Sequence, residues 1–269
     1  MIKDHPHFEA ERPLPKEVRA ANVAKKLISR FENLAIDGVF VRTPYSMNWN
    51  PTFEKSDLYG YLPKTGKRSP EEIIEDTNLL LGQLKGSKSE NGYTESQNRV
   101  LQVMISARYG VDCSGFSYQV CKAVYQELGG TNFDLKVEGR FSNEHGITKT
   151  SASDLTDPKN SIQVKSIADV KPGDLIRCFG GKHVISIVEV SSDNLTCAHS
   201  SDQIGVLGVH TFPVQIISVN ASIFDQVWTE RTKNGQNYGL YMQKNTKVGD
   251  GIWRLKVIDN IYNYTPNKN

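Results

Sequence analysis

Cys113 is the residue in this sequence that is best suited to nucleophilic chemistry. Gly110 ends one helical pattern, and Asp112 is a favourable N-cap for a helix that follows it. That helix is predicted because apolar residues recur at helical spacing, at Phe116, Val120, Val124 and Leu128. The free N–H groups and the macrodipole of a helix start favour an anion, so we expect a thiolate with a pKa below that of a free cysteine.

Two histidines follow at positions where they can assist such a thiol. A thiol that attacks an acyl carbon must lose its proton to a base, which later returns the proton to the leaving amine. His183 opens a predicted strand after a glycine turn, and His199 lies on the next strand, within reach of it. We therefore predict that His183 is the base and that His199 orients it. Asp193, Asn194 or His210 could serve instead of His199.

The same segment also contains the ligand types of a zinc site. Four thiol or imidazole side chains fall within 22 residues, at Cys178, His183, Cys197 and His199. Their spacings, C-x4-H and C-x-H, are unusual for zinc, and a turn separates the first pair. We therefore favour a site without a metal, and we expect no cofactor.

Three pieces of the sequence, in this order, resemble the NlpC family of cell-wall cysteine peptidases. Residues 112–116 (Asp-Cys-Ser-Gly-Phe) resemble the nucleophile motif of that family. Residues 172–175 (Pro-Gly-Asp-Leu), followed by His183, resemble its strand entry and base histidine. Residues 198–201 (Ala-His-Ser-Ser) resemble the segment with its third, orienting residue. The resemblance covers roughly residues 93–210, a little under half of the chain.

The resemblance implies a papain-like fold and a thiol mechanism that cleaves a peptidoglycan peptide, at a bond involving D-Glu or diaminopimelate. The catalytic set that it implies is Cys113, His183 and His199. Asp112 and Ser114, whose positions suit helix caps, would also help to bind a free amine of the substrate. Tyr45, in the only Pro-Tyr pair of the chain, would correspond to a substrate-binding tyrosine, although it lies much further upstream than in the family.

Two other functions are compatible with the same residues. An acyltransferase on this fold would pass the acyl group to an amine and not to water, and an amidase would hydrolyse another amide bond. The sequence does not separate an acyltransferase from a peptidase. A non-catalytic peptide-binding module would retain the fold alone. The intact set of one cysteine and two histidines favours an enzyme over this module.

The elements around these residues predict an α+β fold with a papain-like core, in which amino-terminal helices pack on an antiparallel β-sheet. Helical periodicity covers residues 15–35 and 69–86 and a third segment that includes Val100 and Met104. Residues 39–68 are irregular and aromatic and are a candidate wall of a substrate cleft, and residues 131–166 form a polar insertion. Strands are predicted at 175–179, 183–190, 195–200, 214–219, 228–232, 238–243 and 252–258.

The polar segment at residues 86–92 is the predicted domain boundary. It divides the chain into an amino-terminal helical and aromatic-loop region, residues 1–92, and an NlpC-like hydrolase domain with a carboxy-terminal β extension, residues 93–269. The four cysteines are expected to be reduced, since a chain of 269 residues does not need disulfides to fold.

The net charge and the lengths of the apolar runs limit which kinds of partner we expect. The formal net charge is +2, so we expect no nucleic-acid partner, and no apolar run approaches the roughly 18 residues that cross a membrane. The expected partner is a peptidoglycan stem peptide or another peptide. The polar amino terminus lacks a signal core, so we expect synthesis in the cytoplasm, with export by a signal-independent route such as phage lysis or a secretion system.

Overall fold

The computed structural model describes residues 13–47, 55–56, 60–61, 66–86, 97–141, 143–204, 208–243 and 248–264. The first elements in these ranges are helices and two short hairpins: α1 (Lys16–Glu32), β1 (Leu34–Ile36), β2 (Val39–Val41), β3 (Lys55–Ser56), β4 (Gly60–Tyr61), α2 (Pro70–Gly86), α3 (Gln97–Ser106) and α4 (Cys113–Glu127). The remaining elements are mainly strands: α5 (Ala152–Leu155), β5 (Ser161–Val164), β6 (Leu175–Cys178), β7 (His183–Val190), β8 (Asn194–Ser201), β9 (Gly208–Gln215), β10 (Val227–Trp228), α6 (Tyr238–Met242), β11 (Gly251–Leu255) and α7 (Lys256–Asn263).

Seven of the described strands form one antiparallel sheet with the order β10-β9-β8-β7-β6-β11-β5. Strands β6 to β9 follow one another in sequence and in space, which confirms the predicted hairpins of this segment. Strand β11 departs from sequence order, because it lies between β6 and β5 and pairs antiparallel with both. Helices together with an antiparallel sheet confirm the α+β prediction.

The predicted amino-terminal helices are confirmed, and their local signals act as expected. In the capping box of α2, the Ser69 N–H donates to Glu72 Oε2 at 2.9 Å, and the Glu72 N–H donates to Ser69 Oγ at 3.3 Å. The apolar face of α1 packs on α4, where the rings of Phe31 and Phe116 meet edge to face with centroids 5.5 Å apart. None of the described helices is long and apolar enough to cross a membrane.

Hydrophobic residues cover both faces of the sheet. Because side chains alternate along a strand, Val184 and Val188 of β7 join the cluster that contains α1 and α4, whereas Ile185 and Ile187 join a second cluster on the opposite face. The first cluster also includes Ile73 of α2, so it draws on both sides of the predicted boundary at residue 92. The boundary itself lies outside the described residues, as do Trp49, Phe53 and Tyr59 of the aromatic segment.

The carboxy-terminal strand predictions are partly wrong. Residues 238–242 form helix α6, because the Asn237 side chain caps it by accepting from the Leu240 N–H at 3.2 Å. The predicted strand 252–258 ends at Leu255, after which Ile258 and Tyr262 bury an i, i+4 face of helix α7. Two further predictions are wrong in their bounds: the strand expected at 214–219 runs instead from 208 to 215, and the strand expected at 228–232 ends at 228.

A buried ion pair attaches β11 to the turn before β6. Arg254 donates from Nε to Asp174 Oδ1 at 2.7 Å and from Nη2 to Oδ2 at 2.9 Å, and Nη2 also reaches the Asp169 carbonyl at 2.6 Å. Burial raises the pKa of Asp174, and the Arg254 guanidinium acts against that shift. The aspartate of the Pro-Gly-Asp-Leu motif therefore has a structural contact that fixes this corner of the sheet.

Candidate active site

Cys113 is the first residue of α4, as its sequence pattern predicts, and only 4% of its surface is exposed. Asp112 has the extended backbone of an N-cap, and its Oδ1 accepts from the Gly115 N–H at 2.7 Å. The Phe116 N–H is bound to the Asp112 carbonyl at 2.9 Å. The N–H groups of Cys113 and Ser114 are therefore the first-turn donors that can face an oxyanion.

The backbone at Gly66 and Lys67 forms isolated bridges to Val111 and packs against this helix start. The Asp112 N–H donates to the Gly66 carbonyl at 2.9 Å, and a Cβ placed on Gly115 would lie only 2.1 Å from that oxygen. Glycine is therefore required at position 115 by the close approach of a second backbone. The approach brings Lys67 Nζ to Asp112 Oδ1 at 3.1 Å and into contact with Ser114 Oγ.

The thiol of Cys113 differs from the sequence prediction in its pKa. Burial raises the pKa of Cys113 to about 12, and the negative charge of Asp112 adds to the shift. The backbone N–H groups of Val184 and Ser114 and the Lys67 ammonium act in the opposite direction but are outweighed. The prediction of a pKa below that of a free cysteine is therefore wrong: the structure holds a protonated thiol. Its contact with Val184 brings Cys113 beside the residue that follows His183.

The two predicted histidines are in contact. His183 begins β7 and His199 lies near the end of β8, and His183 Nε2 is 2.7 Å from His199 Nδ1. The hydroxyl of Tyr238 lies 3.3 Å from the same Nε2. Burial lowers the pKa of His183 to about 3 and moves the pKa of His199 well below its usual range. Both imidazoles are therefore neutral near pH 7, and the contacts of His183 with His199 and Tyr238 both use Nε2, which leaves Nδ1 for another partner.

The histidine chain continues beyond the predicted pair. His199 Nε2 lies 3.0 Å from His210 Nε2, which lies 2.8 Å from Glu230 Oε2. His210 also carries a proton on Nδ1, because that atom lies 3.1 Å from the Gly208 carbonyl, which can only accept. His210, one of the possible replacements for His199, therefore contacts His199 on the ring edge that faces away from His183.

The other two candidate replacements for His199 lie elsewhere. Asp193 belongs to the turn between β7 and β8, and Asn194 begins β8, so both lie at the opposite end of these strands from the imidazole pair. Asp193 Oδ1 accepts there from Ser191 Oγ at 3.1 Å. Of the candidates, His199 is therefore the one that contacts His183.

The described residues contain one convergent set of metal-ligand types, formed by His199, His210 and Glu230. It is not the Cys/His set considered from the sequence, of which Cys178 and Cys197 are buried in the second hydrophobic cluster. His199 Nε2 is 3.9 Å from Glu230 Oε2, whereas the other two separations are 3.0 and 2.8 Å. Ligand atoms of tetrahedral zinc stand about 3.3 Å apart, so the spacing suits a hydrogen-bonded chain better than a zinc centre.

Cys113 opens on a pocket of about 810 Å³. The polar insertion forms one wall of it through residues 148–154, and Asp112 and Ser114 lie at its base. Residues of the pocket that sequence reasoning did not single out include Lys67, Arg140 and Lys182. Part of the polar insertion therefore lines the pocket beside Cys113.

Tyr45 lies beside the nucleophile motif despite its distance in sequence. The Ser46 N–H donates to the Val111 carbonyl at 3.3 Å, and the Val111 N–H donates to the Pro44 carbonyl at 3.2 Å. The hydroxyl of Tyr45 donates to the sulfur of Met47, which lines the pocket, at 3.3 Å. Tyr45, for which the resemblance implies substrate binding, is therefore not itself part of the pocket lining and reaches it only through Met47.

Three site residues were missed from the sequence, and each is joined to the site by tertiary contacts alone. Lys67 lies 45 residues before its partner Asp112, Tyr238 lies 55 residues after His183, and Glu230 lies 20 residues after His210. Their own neighbours in sequence carry no motif. The capping asparagine before Tyr238 was the one available signal that this residue begins a helix.

The chain matches no known protein-family model, no curated protein and no solved structure. The resemblance to the NlpC family therefore rests on the three motifs.

Proposed function

We propose that this protein is a cysteine hydrolase that cleaves an amide bond, built on a papain-like core. The observation that carries the proposal is the meeting of three elements at one point. The thiol of Cys113 at the start of α4 contacts the backbone of β7 beside His183, and His183 is held at 2.7 Å by His199 of β8. Cys113 lines the pocket together with Lys182, the residue before His183, and this arrangement supports the roles of nucleophile for Cys113, base for His183 and orienting group for His199.

The reaction starts from a neutral thiol and a neutral imidazole. With the pKa of Cys113 at about 12 and that of His183 at about 3, the proton moves to His183 as sulfur attacks the carbonyl carbon, and not before. The oxyanion is met by N–H groups of the first turn of α4. The amine leaves with the proton from His183, and a thioester to Cys113 remains.

Water completes the reaction. His183 takes a proton from the water as the water attacks the thioester carbon, and the proton returns to the thiol when the carbon–sulfur bond breaks. In both halves His199 holds the ring of His183 in one orientation. An amine that enters in place of water would make the same site an acyltransferase.

We infer from the resemblance that the substrate is a peptidoglycan stem peptide and that the bond involves D-Glu or diaminopimelate. A chain made in the cytoplasm would reach such a substrate through phage lysis or a secretion system. The support for this substrate is the order of the three motifs together with a peptide-sized pocket beside Cys113.

Incubation with purified peptidoglycan, followed by mass spectrometry of the released fragments, tests the proposal. We expect new stem-peptide fragments from the wild type and none from Cys113→Ala. Cys121→Ala is the matched control, because Cys121 is a buried cysteine of the same helix that lies in the hydrophobic core. Amide products formed when glycinamide is added would assign an acyltransferase, and binding without any product would assign a peptide-binding module.

A further inference from the structure

The Lys67 ammonium occupies the polar site that Asp112 and Ser114 form at the start of α4. Lys67 Nζ donates to Asp112 Oδ1 at 3.1 Å, to Ser114 Oγ, and to the Thr150 carbonyl at 3.2 Å. The three protons of this ammonium therefore all have acceptors. Only 14% of the Lys67 side chain is exposed, so this contact is part of the folded structure and not a surface pairing.

This occupancy removes the function that the resemblance implies for Asp112 and Ser114. Asp112 Oδ1 already accepts from Lys67, from Ser114 Oγ at 2.8 Å and from the Gly115 N–H at 2.7 Å. A substrate ammonium at the same place would lie within a few ångströms of the Lys67 ammonium, and the two like charges would repel each other. The Lys67 ammonium thus takes the place beside Asp112 and Ser114 that a substrate ammonium would otherwise occupy.

The rest of the pocket wall carries a surplus of positive charge. Its lining includes four cationic side chains, those of Lys67, Arg140, Lys149 and Lys182, and two acidic ones, those of Asp112 and Asp154. The carboxylate of Asp154 is bound within its own turn, where it accepts from the Ser151 N–H at 2.9 Å and from Ser151 Oγ at 2.6 Å.

Two of these cations have no acidic partner in the described part of the chain. Lys149 pairs with Glu144 at 3.2 Å, whereas Arg140 and Lys182 contact the rings of Phe141 and Phe179 and no described carboxylate. Exposed cations beside a nucleophile attract a ligand that carries negative charge.

We propose that the pocket binds an anionic peptide whose amino end is blocked or continues into a longer chain, with a carboxylate of the acyl part held by Arg140 and Lys182. The peptide is recognised through that carboxylate and not through a free amine. This inference rests on the proposed function and narrows its substrate class.

Binding of three matched peptides to Cys113→Ala protein, measured by calorimetry, tests the inference without requiring turnover. The probes are L-alanyl-γ-D-glutamyl-diaminopimelic acid, its N-acetyl form, and the N-acetyl form with the glutamyl α-carboxylate converted to the amide. We expect the first two to bind within about threefold of each other, because Asp112 Oδ1 already accepts from three donors and the Lys67 ammonium beside it repels a second cation. The amide should bind about tenfold more weakly, because it loses charge-assisted contacts.

Single substitutions test which residues cause these differences in peptide binding. Arg140→Gln and Lys182→Met should each weaken binding of the carboxylate peptide and leave binding of the amide unchanged. Lys26→Met removes an exposed cation of α1, outside the pocket, and should change neither. Lys67→Met should free Asp112 and Ser114 and give a preference of about tenfold for the free amine over the N-acetyl form. Circular dichroism and the melting temperature check the fold of each variant.

Several results would overturn this inference. A wild-type pocket that prefers the free amine over the N-acetyl peptide by tenfold or more would mean that Asp112 accepts the amine after all. An amide that binds as well as the carboxylate, or failure of all three probes to bind, would remove the anionic substrate class. Thiol-dependent cleavage of peptidoglycan in either case would leave the proposed function standing. If the N-acetyl peptide binds but the wild type does not cleave it, the inference about the pocket stands and the proposed function fails.

Discussion

Burial of the His183 and His199 imidazoles predicts that this protein loses stability as the pH falls from 7 to 5. His183 has a pKa of about 3 in the folded protein, against about 6.5 for an exposed histidine, so only the unfolded chain binds a proton in this range. The stability that depends on His183 is therefore complete above pH 6.5 and is lost as the pH falls towards 3. Integration of the proton linkage between pH 7 and pH 5 gives a loss of about 2 kcal/mol for this one residue.

A comparison of the wild type with His183→Gln isolates that contribution. Glutamine retains hydrogen-bonding capacity towards His199 and Tyr238 but does not titrate. Urea unfolding at pH 7 and pH 5 gives the free energy of unfolding of both proteins, and changes that come from other groups cancel in the difference. We expect the wild type to lose about 2 kcal/mol more than the variant on acidification. His145→Gln, in an exposed loop, is the control and should follow the wild type.

Equal losses for the wild type and His183→Gln would refute the reasoning. That result would mean that His183 takes up its proton at the same pH in the folded and the unfolded protein. The imidazole would then be hydrated, and the reaction would not have to start from a neutral pair. Titration of the imidazole carbon-bound protons by NMR provides an independent check, in which the His183 signal should not move between pH 7 and pH 5.

Three further predictions follow from the same site. Release of peptidoglycan fragments, measured by mass spectrometry, should vanish in Cys113→Ala and fall about 10²- to 10⁴-fold in His183→Ala. His199→Ala should keep measurable activity, and His199→Asn should keep more. Full activity of His183→Ala would exclude the mechanism. Glu230→Gln should lower kcat about tenfold with KM unchanged, because the carboxylate acts through the imidazole chain; a change in KM alone would contradict this role. Labelling of Cys113 by iodoacetamide should be slow at pH 6 and accelerate up to and beyond pH 10, since its pKa is about 12, and fast labelling at pH 6 would contradict the buried thiol.

Local signals predicted the elements that carry the site. The capping box at Ser69, the N-cap at Asp112 and the hairpins around His183 and His199 are each encoded within a few neighbouring residues. Such signals act through the backbone of one turn or one strand pair, so they remain valid whatever the rest of the chain does. The contact between the two histidines followed from pairing geometry in the same way.

The properties that the sequence did not predict depend on what surrounds each residue. A helix start does favour a thiolate, but the burial of Cys113 outweighs that effect and reverses the sign of the shift. Lys67 comes to Asp112 from 45 residues away, and no pattern near Lys67 indicates that meeting. The apolar pattern from residue 252 to residue 258 predicts one strand where the structure has a strand and a helix, because a buried helix face and a buried strand look alike over so few residues.

The position of β11 affects how the protein is made. Strand β5 has β11 as its only neighbour in the described sheet, and about 90 residues separate the two strands along the chain, so at roughly 5–20 residues per second the ribosome needs several seconds to supply the partner. During that interval β5 and β6 both present open edges to other chains, and the carboxylate of Asp174 lacks the guanidinium of Arg254. The nascent chain therefore has a late, vulnerable stage in which chaperone binding to these edges competes with aggregation, and the thiol site gains its finished scaffold only when translation passes residue 255.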